Sequence, residues 1–212
     1  WISCLFTSFC LMILINGTNF IDGLNGLVIS YFLVILFILF RINLINLFFF
    51  NNLNLILFIV IFISLLFLNF YNKLYMGDSG SYLIGFLIGY FLISVYLIHS
   101  LISPYFIALL LWYPAYEILF SIVRKIKTNK SPFKPDNNHL HHLLFFYIEK
   151  RFAIKKNISN NISSIIIIFY NFIIFNISII NIYFSYYQIV LIIFNIIIYS
   201  ITYSKLLQYK KN

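Results

Sequence analysis

The sequence predicts an all-α fold, a polytopic bundle of transmembrane helices, and three features point to it. Hydrophobic residues make up 63% of the 212 positions and charged residues only 9%, a balance outside the soluble globular range. The apolar residues fall in windows long enough to cross a bilayer, whose hydrocarbon core of about 30 Å takes roughly 20 helical residues. The Lys and Arg residues gather in alternate connections between those windows, as the positive-inside rule requires of a multi-pass chain.

Seven windows are expected to span, at residues 1–15, 26–42, 53–70, 80–98, 104–123, 160–180 and 186–204. The last two are separated only by the more polar stretch 181–188, because no charged residue occurs from Ile158 to Ser204. Cys4 and Cys10 lie in the first window without metal-type spacing, and are read as packing residues. Asn, Ile, Phe, Tyr and Lys are over-used together, a bias expected of an AT-rich genome. Single Asn residues therefore carry little weight, and the sequons at Asn157, Asn161 and Asn176 are not read as glycosylation sites. The first residue is Trp1, inside an apolar run with no basic leader before it, so the chain is read as a fragment lacking its N-terminus. No linker or repeat divides residues 1–212, which are taken as one transmembrane domain with a cytoplasmic basic and His-rich loop at 124–157.

If the connection after the first window is cytoplasmic, alternation places all of the 14 basic residues except Arg41 on that side. Three polar islands then share one face of the membrane: "NGTNFIDGLNGL" (16–27), "NKLYMGDSGS" (72–81) and "KSPFKPDNNHLHH" (130–142).

Of the five acidic residues, Asp22 and Asp78 sit beside glycines at cytoplasmic helix ends. Each reads as a helix cap or as a functional carboxylate. Gly77, Ser79, Gly80 and Ser81 surround Asp78 with small side chains at a helix start, where a phosphate can approach closely. Magnesium suits such a place, because it accepts one or two carboxylates and completes its shell with water and phosphate oxygens; manganese is the alternative. Gly85 and Gly89 form a GxxxG pair expected to serve helix packing. His139, His141 and His142 lie in a loop that Pro132 and Pro135 keep from becoming one long helix. They lack a Cys or paired carboxylate at zinc-ligand spacing, and phosphate contact is the better fit. Lys150, Arg151, Lys155 and Lys156 are read as a surface for anionic lipid headgroups. Glu117, about one and a half turns before Arg124, is read either as a structural partner of Arg124, Lys125 or a neighbouring helix, or as a catalytic group.

The three islands, in this order, resemble the polyprenyl-phosphate N-acetylhexosamine-1-phosphate transferases, a superfamily that includes the phospho-N-acetylmuramoyl-pentapeptide transferases. "NGTNFIDGLNGL" is similar to the family's Asn-x-x-Asn-x-x-Asp-Gly-x-Asp-Gly-Leu segment, "YMGDSGS" to its Phe-Met-Gly-Asp-x-Gly-Ser segment and "PDNNHLHH" to its His-x-His-His loop. "PAYEILFSIVRK" resembles the Pro-x-x-(Asp/Glu) helix before that loop. The resemblance implies attack of a polyprenyl phosphate on the β-phosphate of a UDP-sugar, giving polyprenyl-diphosphate-sugar and UMP. It implies Asp78 as magnesium ligand, with Asp22 and the three histidines in the catalytic set. Asn16, Asn19, Gly23, Asn25, Gly77 and Ser79 would bind substrate, and Tyr75 would stack on uracil. The implied partners are a UDP-sugar, most closely UDP-N-acetylglucosamine, undecaprenyl phosphate and the membrane, with a homodimer left open and no nucleic acid. The implied place is the bacterial inner membrane, at the start of a cell-envelope polysaccharide such as O-antigen, with the site facing the cytoplasm.

Two departures stand out. Asn25 occupies a position where many members have Asp, although an amide can still hydrogen-bond uracil. The Asp-Asp pair that the family uses for lipid-phosphate activation has no counterpart in these residues, so the chain by itself is expected to be inactive. The rival readings are a transporter, which would place polar residues at mid-membrane, and a non-catalytic remnant.

Overall fold

The computed structural model describes residues 1–44, 52–129, 131 and 137–211, and these are helical without strands. Every apolar window lies on helix, but the windows do not all become membrane spans. Among the described residues four helices have the length and composition to cross a bilayer: α1 (Ile2–Ile21), α4 (Gly77–Ile98), α8 (Lys156–Ser178) and α9 (Ser185–Lys211). A fifth crossing is made only if α5 (Pro104–Leu110) and α6 (Trp112–Lys127) count as one broken span, since they meet at 72°. Among the described residues the count by length and composition is therefore four or five, below the expected seven.

The remaining two windows are α2 (Leu27–Arg41) and α3 (Asn52–Phe70), of which 57–70 is a short apolar helix. At 1.5 Å per residue the 15 residues of α2 reach only about 22 Å. Leu27, Val28, Ile29, Tyr31, Phe32, Ile35, Leu36, Ile38 and Leu39 are all buried, so α2 is enclosed by protein nearly all round. A helix apolar on every side is as well suited to a protein interior as to lipid, and the windows could not tell the two apart. The lipid-like surface lies elsewhere, on the exposed Phe9, Phe67, Leu83, Phe169 and Ile201. Cys4 and Cys10 are also exposed, which corrects their reading as packing residues.

The break between α5 and α6 has a local cause. Pro114 has no N–H to give the carbonyl of Leu110, and its ring crowds that carbonyl, so the helix bends. The Tyr31 hydroxyl donates to Leu110 O at 2.8 Å and replaces the missing bond. The bend also presents the Pro114 carbonyl to α1, where a Cβ at Gly17 would come within 2.3 Å of its oxygen. Gly17→Ala must therefore separate α1 from α6. The expected cost is about 1–3 kcal/mol, as for other overpacked sites, read as a lowered melting temperature. An unchanged melting temperature would show that this contact is not close.

The GxxxG pair packs helices as expected. A Cβ at Gly85 would meet Thr18 Oγ1 at 2.8 Å, and one at Gly89 would meet Leu11 Cδ2 at 2.4 Å, so α4 lies directly on α1. The division of the charge-free run also holds: α8 ends in a 3-10 turn, Ile179–Asn181, before α9 begins. Gln188 Nε2 donates to the carbonyls of Ser178 and Asn181, both at 2.9 Å, and satisfies the end of α8.

The supposed loop 124–157 is largely helical. α6 continues through Lys127, and α7 (Leu140–Phe152) occupies much of the rest. Pro132 and Pro135 lie outside the described residues, and so does Asp136. The chain alternates end to end: Arg41 bonds Asn176 at one end of the bundle, whereas the islands meet at the other.

Candidate functional site

Helix α1 does not stop at Asn16, where the polar island begins, but runs on to Ile21. The reversal into α2 takes place within Asp22–Gly26, and neither aspartate is an N-cap. Asp22 is the C-cap of α1, Gly26 precedes α2, and Asp78 is the second residue of α4 after Met76. Gly26 has φ +73°, a left-handed conformation that favours glycine, and its N–H donates to the side chain of Asn69.

This turn meets the loop between α3 and α4 in a cleft of about 580 Å³. From the predicted set Asn19, Asp22, Gly23, Asn25, Tyr75, Gly77 and Asp78 line it. Asn16 and Ser79 do not; the Asn16 amide bonds back to Met12 O at 2.8 Å. Asn19 joins the first two islands: its Oδ1 accepts from Ser81 Oγ at 2.7 Å, and its Nδ2 donates to the Tyr82 hydroxyl at 3.3 Å. Tyr75 is 74% exposed at the mouth, so an aromatic face is open to a ligand.

Asparagines that sequence reasoning set aside build the wall behind Asn25. The Asn25 Nδ2 donates to Asn72 Oδ1 at 2.7 Å and to Asn161 Oδ1 at 3.3 Å, and its backbone N–H donates to Asn160 Oδ1 at 2.7 Å. Asn161 Nδ2 in turn donates to Phe70 O at 3.2 Å. Because its NH₂ is occupied, the Asn25 amide is fixed in orientation. Its Oδ1 has no partner among the described residues, which leaves an acceptor at the cleft.

The pKa of Asp22 is pushed up to about 7, first by burial and then by the negative charge of Asp78. Two carboxylates on one cleft, one of them with its pKa raised by burial and by the charge of the other, are a donor pair that a cation would relieve. No three of His, Cys, Asp and Glu group as a metal site among the described residues. The protein thus offers a pair of carboxylates, which fits magnesium with its remaining positions open to water and phosphate.

The histidines stand behind this turn rather than in the cleft. A Cβ at Gly23 would lie 2.6 Å from His141 Nε2 and 2.7 Å from His142 Cε1, so the turn presses on both rings. His141 is fully buried, and its two ring nitrogens have no hydrogen-bond partner among the described residues. Burial, then the neighbouring His142 and His139, hold its pKa well below the ordinary value, so it is neutral at pH 7. Glu117 organises this region. Its Oε1 meets His139 Nδ1 at 3.0 Å and accepts the Leu140 N–H at 3.2 Å, and its Oε2 accepts from the Tyr199 hydroxyl at 2.9 Å. Glu117 is 1% exposed and caps α7 from α6, and this selects the structural one of its two readings.

The predicted set omits other lining residues, among them the asparagines Asn69, Asn72 and Asn160 and the basic Lys156. The three asparagines carry no signal above the compositional bias. Lys156 had been grouped with the headgroup-facing lysines on charge alone.

Residues 1–96 match the family model described as glycosyl transferase family 4. The chain is similar to the decaprenyl-phosphate N-acetylglucosaminephosphotransferase of Mycolicibacterium smegmatis, at 31% identity over 155 residues, 62% of this chain and 37% of that protein. It is also similar to undecaprenyl-phosphate alpha-N-acetylglucosaminyl 1-phosphate transferases. With that of Thermotoga maritima it is 38% identical over 71 residues, 34% of this chain and 23% of the relative. With that of Haemophilus influenzae it is 37% identical over 73 residues, 34% of this chain and 21% of the relative. The chain therefore spans well under half the length of these relatives. No solved structure matches it.

Proposed function

We propose that this chain, whose first 96 residues match the model of glycosyl transferase family 4, forms the nucleotide-sugar side of a polyprenyl-phosphate N-acetylhexosamine-1-phosphate transferase. An oxygen of the polyprenyl phosphate forms a bond to the β-phosphorus of a UDP-sugar, the bond from that phosphorus to the bridging oxygen breaks, and UMP leaves. The observation that carries this reading is the convergence of Asp22, Asn25, Tyr75 and Asp78 from two separate islands on one cleft. The names of the relatives favour N-acetylglucosamine as the sugar.

In this reading Asp78, with Asp22 beside it, holds magnesium, which when bound supplies positive charge to the diphosphate and orients it for displacement. Tyr75 stacks on the uracil ring. Asn25 offers Oδ1 to the uracil N3–H, an acceptor role that an aspartate would also fill, so the exchange of Asp for Asn leaves this contact intact. Asn19 clamps the Asp22 turn to α4. Glu117 orients His139, and the His139–His142 segment supports the turn from behind. The Asp-Asp pair for the lipid phosphate is not among these residues, and the chain alone is expected to show no turnover. The distribution of Lys and Arg supports an orientation with the cleft on the cytoplasmic side of the membrane.

The test is magnesium-dependent release of UMP from UDP-N-acetylglucosamine and undecaprenyl phosphate by membranes carrying the full-length protein. Absence of UMP with every UDP-N-acetylhexosamine tried would overturn the reading. Within it, Tyr75→Ala is expected to weaken UDP binding about tenfold or more, since stacking on a base contributes about 1–3 kcal/mol. The KM for the lipid should stay within twofold. Equal losses for both substrates would remove Tyr75 from the uracil contact.

A further inference from the structure

The cleft has a second wall that neither the sequence motifs nor the family match includes. It is made by the start of α8, where Lys156, Asn157 and Asn160 line the cavity with Phe145. This wall is fastened to the Asp22–Gly26 turn. Asn160 Oδ1 receives the Asn25 N–H at 2.7 Å, and Asn161 bonds both the Asn25 amide and Phe70 O. Lys156 precedes Asn160 by about one helical turn, so its anchor in the cleft is set by these bonds although its side chain is exposed.

The charges of the lining are few and unlike. Asp22 and Asp78 are its acidic residues, and Lys156 is the basic one among the described residues that line it. Among the described residues no ion pair or hydrogen bond engages the Lys156 ammonium. A diphosphate entering such a cavity meets two carboxylates, and a metal ion there can neutralise only the oxygens it touches. The oxygens turned away from the carboxylates need a different cation. A lysine suits that task, because its ammonium is a compact charge on a flexible stem, with three donors that adapt to phosphate oxygens.

We infer that Lys156 is a phosphate-binding residue of the cleft, contacting a phosphate oxygen on the side away from Asp78, and not one of the headgroup-facing lysines. The inference rests on the transferase reading for the identity of the ligand. The phosphate belongs to the nucleotide donor or to the lipid acceptor, and the two sources give different results in the test below.

The experiment uses the full-length protein with Lys156→Met, which keeps the apolar stem, Lys156→Arg, which keeps the charge, and Lys155→Met, an exposed neighbour outside the cleft lining. Affinity for UDP with magnesium is measured by calorimetry, and the KM for undecaprenyl phosphate by UMP release. A charge-assisted bond contributes about 1.5–3 kcal/mol, so its loss corresponds to a tenfold weakening or more. Tenfold weaker UDP binding in Lys156→Met, with Lys155→Met within twofold of the parent and Lys156→Arg between them, supports a donor phosphate. Unchanged UDP binding with a tenfold higher lipid KM supports the acceptor phosphate. If neither quantity moves, or if Lys155→Met loses as much as Lys156→Met, the inference falls while the transferase reading stands. If the parent protein binds no UDP and releases no UMP, both fall.

Discussion

Asp78→Asn in the full-length protein is expected to lower magnesium-dependent UMP release by at least about a hundredfold, the scale on which a missing electrostatic contact to a transferring group acts. The change is nearly isosteric, and Asp78 is exposed with no side-chain hydrogen bond among the described residues, so the fold depends little on its charge. Thermal unfolding should therefore match the parent. Raising the magnesium concentration should recover part of the rate if the remaining Asp22 still attracts the ion. Parent-like turnover at low magnesium would remove Asp78 from the metal site. A large fall in melting temperature would instead assign it a structural role.

Glu117→Ala has the largest expected effect on stability. It removes the acceptor of three groups at once, the His139 ring, the Leu140 N–H and the Tyr199 hydroxyl, in a place 1% exposed. Breaking a buried, hydrogen-bonded pair costs about 3–5 kcal/mol, because the partners left behind cannot turn to water. In a protein of this size that corresponds to a fall of about 10 °C in melting temperature. Glu117→Gln keeps one carbonyl oxygen for Leu140 and should lose markedly less. Equal losses for Ala and Gln would mean that the negative charge itself, and not the acceptor geometry, holds α7.

The glycines and aspartates of the first two islands were legible because their chemistry is local. A carboxylate flanked by small residues at a helix end announces itself in a chain with five acidic residues. The turn was misplaced by half a dozen residues all the same. Asn16, Gly17 and Asn19 discourage helix in isolation, but α4 and α6 lie on that face and extend α1 to Ile21, with Gly17 needed for the approach of Pro114 and Asn19 bound by Ser81. Propensity yielded to packing.

The wall of asparagines and Lys156 was not legible, for a different reason. Asn69, Asn72, Asn160 and Asn161 act only as a set, drawn from α3, the following loop and α8, and each looks like the rest of an Asn-rich composition. In the folded chain their amide oxygens accept from the side chain and backbone of Asn25 and the backbone of Gly26. Similarly, the apolar window 26–42 looked like a span because lipid and protein interior reward the same side chains.

The sequence by itself determined the membrane class, the alternation of the chain, the two carboxylates and the sites of helix packing, because hydrophobic length, charge placement and small residues act within a few positions of one another. Only the tertiary structure decided which apolar helix is enclosed, that Glu117 caps α7, that the histidines stand behind the Asp22 turn, and that α8 closes the cleft with Lys156. Each of these depends on partners far apart in the chain, and their meeting is set by the packing of whole helices.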